Sequence, residues 1–363
     1  MGRRLRHDSI LLILIIGLVF FGLVMVFSAS VAVAEKNHGN SWHFALRQAG
    51  AAAAGLGGMI WLMKQNYHRF RSPAAAFGLV GLTVVGLLVA LMVEPTNNTN
   101  RFIPLGPFAL QPSEFAKLAL VVFLAWYLDL RAGALTQGRT VLRAAALPLL
   151  TAVLIVAGRD LGTAVVVLLI GLVILWVAGL ERRHLKIGLA VLAPLVAIAI
   201  LMERFRIDRL LIFLDPWKDP KRLGYQIIQA LIAVGTGGLT GLGPMQSRQK
   251  LHYLPQPHTD FIYAVIAEEL GLVGAGLLLA AFCLILWRGL NASLRAKDPF
   301  GAYLAVGLTA MLACQALIHM SVALDLAPTK GLPLPLVSYG GSALISALWG
   351  SGMLLSVSQR TGG

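Results

Sequence analysis

Ile10-Leu-Leu-Ile-Leu-Ile-Ile-Gly-Leu-Val-Phe-Phe-Gly-Leu-Val-Met-Val-Phe-Ser-Ala-Ser-Val-Ala-Val33 contains no charged side chain and no proline. As one helix it is long enough to cross the ~30 Å hydrocarbon core of a bilayer. It is too long for the apolar part of a cleavable signal peptide, and comparable runs follow it. In lipid, a backbone must satisfy its own polar groups, so repeated runs of this kind mean an all-α polytopic membrane protein. Composition agrees: of 363 residues 58% are hydrophobic and 13% charged, with a mean hydropathy of +0.78. An ordinary soluble domain is excluded.

Working outward from this run, the hydropathy pattern predicts ten transmembrane helices, at about 10–33, 44–63, 74–93, 113–130, 141–158, 161–180, 184–202, 261–287, 303–326 and 342–358. Basic clusters mark alternate junctions. Arg3, Arg4 and Arg6 precede the first span, and Lys64, Arg69 and Arg71 follow the second. Arg131, Arg139 and Arg143, then Arg182, Arg183 and Lys186, then Arg288, Arg295 and Lys297 continue the series. By the positive-inside rule both termini are cytoplasmic. The net charge of +14 thus reports orientation and an anionic membrane surface, not nucleic acid. Cys283 and Cys314 both lie in apolar spans, which excludes a disulfide framework.

We read residues 1–363 as one membrane domain, with 203–260 as a large extracytoplasmic loop between spans seven and eight. The loop opens with charges interleaved with Phe205, Leu210, Leu211, Phe213 and Leu214, the pattern of an interfacial helix. A second short amphipathic helix is expected from Ile227 to Val234, before the glycine-dense, mobile or close-packed stretch Gly235–Gly243.

The outward side also carries the chemistry. In Tyr253-Leu-Pro-Gln-Pro-His-Thr-Asp-Phe-Ile-Tyr263, two prolines delay the next helix. Thr259 or Asp260 can cap a helix starting at Phe261, or Asp260 can be a working acid where water meets lipid. Glu114 and Lys117 are three residues apart and can pair, at a helix start in the interface or in a polar cavity. Arg101 precedes them. Asp160 is a helix cap, or part of the same cavity. Glu268 and Glu269 lie about 12–14 Å deeper than Asp260, as a proton relay or as acids bonded to a neighbouring helix. Asp325–Gly341 is apolar, broken by Pro328, Pro333 and Pro335, and has Lys330 as its cation. It must pack on protein or line a cavity. Nucleotide loops, serine-hydrolase elbows and metal-ligand spacings among the eight histidines are absent. A cationic, lipid-level cavity suits an amphiphile with a phosphate-bearing head.

Four stretches, in order, resemble the SEDS family (shape, elongation, division and sporulation). They are Gln111-Pro-Ser-Glu-Phe-Ala-Lys117, Phe213-Leu-Asp-Pro-Trp217, Tyr253 to Gly271, and Gly331-Leu-Pro-Leu-Pro through Ser338-Tyr-Gly-Gly341. Gly22–Ser30 and Ser247–Leu254 are similar to its division-type branch. The resemblance implies a glycosyltransferase that polymerises lipid II on the outer face of the bacterial cytoplasmic membrane. A single-span class B penicillin-binding transpeptidase and other division proteins would be its partners. It puts the essential acid on Asp260 and cavity residues on Arg101, Glu114, Lys117 and Asp160, with Ser338 as a further substrate contact. We assign Asp260 as general base. Arg101 and Lys117, then Lys250 and Lys330, are the cations for the pyrophosphate leaving group. No cofactor is evident, although Mg or Mn on the pyrophosphate is compatible with the chemistry. Three departures stand out: Gln256 where Glu is usual, Gly158-Arg159 where an acid or amide precedes Pro, and His319 where Asn is usual. A lipid-precursor flippase using Glu268 and Glu269, and a non-catalytic division scaffold, are the alternatives.

One conflict is open at this level. A helix N-terminus lowers the pKa of a carboxylate, whereas desolvation raises it.

Overall fold

The computed structural model describes residues 8–94, 99–106, 108–131, 135, 137–251 and 253–360. Arg3, Arg4, Arg6 and both chain ends lie outside the described residues, as does His252. Helices occupy all ten expected places: α1 Ser9–His38, α2 His43–Lys64, α3 Pro73–Met92, α4 Pro112–Asp129, α5 Gly138–Ala157, α6 Leu161–Val177, α7 Arg182–Leu201, α10 Ile262–Leu294, α11 Pro299–Ala323 and α12 Gly341–Arg360. The long loop adds α8 Arg204–Leu214 and α9 Tyr225–Gly237, close to the two short helices expected there. A two-stranded hairpin, β1 Ile103–Leu105 and β2 Phe108–Leu110, joins Arg101 to α4.

Six of these helices (α1, α3, α5, α10, α11 and α12) are long and apolar enough to cross a membrane. The chain is a multi-pass membrane protein. Two of the remaining four explain themselves. At 17 residues α6 is short, and α4 carries Glu114, Lys117 and Asp129. Those charges turn inward, where protein rather than lipid meets them.

The bundle is organised around α11, which packs on α4, α6, α10 and α12 and buries residues on every face. α12 runs along α2, and a Cβ added at Gly352 would lie 2.6 Å from the carbonyl oxygen of Met59. Close backbone approach through small residues is how membrane helices gain packing without a hydrophobic driving force. On the basic side, Asp8 caps α1 through the backbone N–H of Leu11 (3.0 Å) and pairs with Arg288 (2.7 Å).

The glycine-dense stretch does something periodicity could not disclose. α10 breaks at Gly271, whose φ of 66° and ψ of −168° are open only to glycine. At the break, backbone of the long loop docks on backbone of α10. Leu242 N and Gly243 N donate to Glu268 O and Glu269 O, both at 3.0 Å, while Leu272 N donates to Gly238 O at 2.9 Å. The long loop therefore runs beside α10 as far as Glu268 and Glu269. A Cβ at Gly271 would lie 2.4 Å from both Gly241 N and Leu239 O. Gly271→Ala should thus lower the melting temperature in detergent. The backbone conformation alone costs about 1–3 kcal/mol, before the clash is counted.

Candidate active site

Asp260 does not cap α10. The helix begins at Ile262, its N-cap position is Phe261, and no side chain caps it. The preceding turn, with Gln256 at φ 52° and Thr259 N donating to Gln256 O, delivers the chain to the helix one residue late. Asp260 is left pointing at its surroundings rather than at backbone donors.

Those surroundings come from four other places in the chain. Gly331, in the segment between α11 and α12, approaches most closely. A Cβ built there would lie 3.2 Å from Asp260 Oδ2 and 3.7 Å from Arg101 Nη1. Arg101 Nη1 is 3.8 Å from Asp160 Oδ2. Asp160 does cap α6, accepting from the backbone N–H and the hydroxyl of Thr163, and it accepts from Gln111 Nε2 at 3.3 Å. Asp160 thus caps α6 and also faces Arg101. Arg209 arrives from α8, donates to Thr329 O at 3.0 Å and acts electrostatically on Asp260, Arg101 and Asp160. Lys330 feels Asp160 and Arg209, and burial lowers its pKa. Two carboxylates and three cations thus converge where α6 and α10 begin, beside the middle of α8.

Burial decides the open question about Asp260. It pushes the carboxyl up to about 6, against the opposing pull of Arg101 and Arg209. Beside it, His258 is buried against Phe44 and Tyr339, at ring separations of 4.6 and 5.5 Å. Burial drops the imidazole to about 4, so it is uncharged at neutral pH and forms wall rather than proton carrier. Behind Arg101 and Asp160, a small recess of about 10 Å³ opens between α3 and α5, bordered by Leu87, Ala90, Leu154 and Ile155 and by the polar Asn100 and Ser113.

Four residues expected at the site are engaged elsewhere. Lys117 is 1% exposed, pairs with Glu114 at 2.9 Å and donates to Gln315 Oε1. Glu114 also accepts from Ser346. Lys117 therefore has protein partners where a pyrophosphate contact was expected. Lys250 is buried as well, donating to Glu269 at 2.7 Å, Met245 O at 2.8 Å and Ser28 Oγ at 2.9 Å. Ser338 Oγ accepts from Leu334 N and donates to Thr259 O, both at 2.8 Å, so it staples two segments together. Conversely, the sequence reading passed over Arg209. The signal was present: an arginine within an amphipathic helix that must lie flat beside the acids.

Glu268 and Glu269 are explained too. Glu268 accepts from the hydroxyl of Ser247 and from the backbone N–H groups of Arg248 (3.0 Å) and Gln249. Glu269 accepts from Met245 N, Ser247 N, Ser28 Oγ and Lys250. They are buried acids bonded to protein, clasping the long loop.

The chain matches the FtsW, RodA and SpoVE family, described as "Cell cycle protein", over residues 8–362. It belongs to the SEDS family. Similar relatives include the "Probable peptidoglycan glycosyltransferase FtsW" of Geobacter metallireducens, 38% identical over 99% of this chain and 96% of that one. "Stage V sporulation protein E" of Bacillus subtilis is 39% identical over 98% of both chains. Among solved structures, a chain of "a peptidoglycan synthase complex" described as coordinating polymerization and crosslinking is 32% identical. It covers 98% of both chains with a TM-score of 0.81. The Thermus thermophilus Rod shape determining protein RodA is 29% identical, covers 100% of both chains and has a TM-score of 0.73. The resemblance of the four motifs to SEDS proteins is thereby borne out along the chain.

The buried Lys250–Glu269 pair makes a stability prediction. Glu269→Gln strands a buried ammonium and should cost about 3–5 kcal/mol. Adding Lys250→Met removes the stranded charge and should restore part of the loss. Detergent melting of the single and double variants measures both effects.

Proposed function

We propose that Asp260 is the general base of a peptidoglycan glycosyltransferase that polymerises lipid II, with undecaprenyl pyrophosphate as leaving group. The observation that carries this reading is a carboxyl raised to about 6 by burial, facing Arg101 and Arg209 at a helix mouth. A base with a pKa slightly below the working pH is mostly ionised yet still able to hold a proton. The acceptor hydroxyl gives its proton to Asp260 as its oxygen attacks the anomeric carbon of the donor. The bond to pyrophosphate breaks with inversion, turning an α-linked donor into a β-linked strand. Arg101, Arg209 and Lys330 are the cations placed to stabilise the charge on the departing pyrophosphate. They replace Lys117 and Lys250 in that role. A divalent cation, where one takes part, would ride on the pyrophosphate. Among the described residues no group of three or more His, Cys, Asp and Glu side chains comes together to hold one.

The same proposal sets the chain as one membrane domain of ten spans in the bacterial cytoplasmic membrane. Both termini are cytoplasmic and the Asp260 face is extracytoplasmic, as the alternation of basic clusters requires. The relatives named FtsW, and the synthase complex that joins polymerization to crosslinking, support a division role beside a single-span class B transpeptidase. A flippase is less well supported, because Glu268 and Glu269 are committed to the long loop.

Two experiments test this reading. Asp260→Asn keeps the shape and removes the proton acceptor, so glycan polymer made from lipid II by the purified chain should fall by about 10²–10⁴-fold. Asp160→Asn keeps a competent cap and should retain far more. In the wild type the rate should climb as pH rises through about 6, the value at which Asp260 ionises. The fold bears the opposite sign. A carboxyl raised above its unfolded value loses stability as pH rises through 6, so Asp260→Asn should melt no lower than wild type at pH 7. Full polymer from a well-folded Asp260→Asn protein would falsify the mechanism. For topology, single cysteines at Gln246 and Gln137, both exposed, are placed in a background lacking Cys283 and Cys314. In intact spheroplasts an impermeant thiol reagent should label the first and spare the second. Equal labelling sinks the orientation.

A further inference from the structure

Gly331 can face Asp260 only if the irregular segment around it is held in place, and the holding is done from α11. His319 Nδ1 meets Leu332 O at 2.7 Å, and Gln315 Nε2 donates to Pro333 O at 2.8 Å. The two side chains are one helical turn apart and share a face. Their acceptors are consecutive carbonyls, immediately after the glycine that abuts Asp260 and Arg101. We propose that His319 and Gln315 are positioning residues for polymerisation, and that they set the Asp260–Arg101 cleft by fixing the backbone at Leu332 and Pro333. The inference rests on the reading of Asp260 as base.

Hydrogen-bond chemistry leaves each side chain one orientation. Lys117 can only donate, so the amide atom of Gln315 that faces it is Oε1, and Nε2 is turned to Pro333. The buried Glu114–Lys117 pair therefore acts on the site through Gln315. A carbonyl can only accept, so His319 carries its hydrogen on Nδ1. Its Nε2 is buried without a partner. That idle nitrogen shows that the imidazole is kept in place by the Nδ1 bond and by packing.

On the opposite side, the segment meets α6. A Cβ at Gly162 would lie 3.2 Å from Leu332 and 3.4 Å from Lys330. The segment is thus wedged between α11 and the start of the helix that Asp160 caps. Downstream, Ser338 and Tyr339 bond back to Thr259 O and His258 O, joining the same segment to the Asp260 loop.

The departure of His319 from Asn now has a reason. The Nδ2 of Asn and the Nδ1 of His are the same number of bonds from the backbone, each carried on Cγ. Either can donate to Leu332 O. Leu has the same branching at Cγ as Asn but no donor. Comparing His319→Asn with His319→Leu therefore isolates the hydrogen bond from the shape.

The measurement is polymer formed from lipid II against pH by the purified full chain, with detergent melting as the fold control. His319→Leu should lower the rate on the order of 10²-fold, the usual penalty for a misplacement of about 1 Å. It should also move the acid limb below the wild-type value of about 6. As Gly331 withdraws, Asp260 gains water while Arg101, Arg209, Lys330 and Asp160 still face the cleft. His319→Asn should recover most of the rate and return the limb to about 6. A folded His319→Leu protein with normal rate and limb overturns the proposal. So does a His319→Asn protein as impaired as His319→Leu. If His319→Leu does not fold, Gln315→Met must show the same slowed rate and displaced limb, and a normal profile there overturns it. Failure of the Asp260 reading looks different: Asp260→Asn polymerises, and the Asn–Leu comparison at His319 is then judged on rate alone.

Discussion

Non-helical backbone packed among membrane helices has no water to satisfy it, and this protein carries two such segments. One runs beside α10 and leads to Asp260. The other joins α11 to α12 and carries Lys330, Gly331 and Ser338. Each segment is satisfied by polar side chains that the neighbouring helices bury for the purpose. Glu268 and Glu269 receive the N–H groups of Met245, Ser247, Arg248 and Gln249. His319, Gln315 and Gln48 donate to the carbonyls of Leu332, Pro333 and Ser338. The charged residues within the spans are largely accounted for by this requirement.

That arrangement separates scaffold from chemistry. Glu114, Lys117, Lys250, Glu268 and Glu269 are all buried and all bonded to protein. Breaking any one pair leaves an uncompensated charge, which is why such groups are costly to alter whether or not they touch substrate. Arg101, Arg209 and Lys330 gather instead around two acids at the mouth of the bundle, with a small recess behind. Asp260 sits there with its ionisation disfavoured by burial and favoured by two guanidinium groups. Burial wins, which leaves it basic enough to take a proton near neutrality.

The departures from the usual SEDS pattern also find local reasons. Gly158 lies against Asn100, where a Cβ would come within 2.9 Å of its carbonyl oxygen. Arg159 follows at φ 64°, a conformation closed to the proline usual there, and pairs with Glu203 at 3.8 Å. Gln256 takes φ 52° in the turn before Asp260 and is exposed. Its Oε1 accepts from Thr259 Oγ1 at 3.4 Å, next to Asp260.

Hydropathy by itself determined the class and the places of the ten long helices, because lipid admits only self-satisfied backbone and each run must match the bilayer. Short motifs were enough to name the family, and charge near membrane depth drew attention to Asp260, Arg101, Glu114, Lys117 and Asp160. Sequence could not separate cations enclosed by protein partners from those that face the two acids. Lys117 and Arg209 look alike until packing shows the first enclosed by Glu114 and Gln315 and the second turned toward Asp260. Nor could it tell whether Asp260 caps α10 or what ionisation its surroundings impose. That depended on a turn that starts the helix at Ile262, and on how much protein closes over one carboxyl. Both are sums over residues far apart in the chain, and only the tertiary structure brings those residues together.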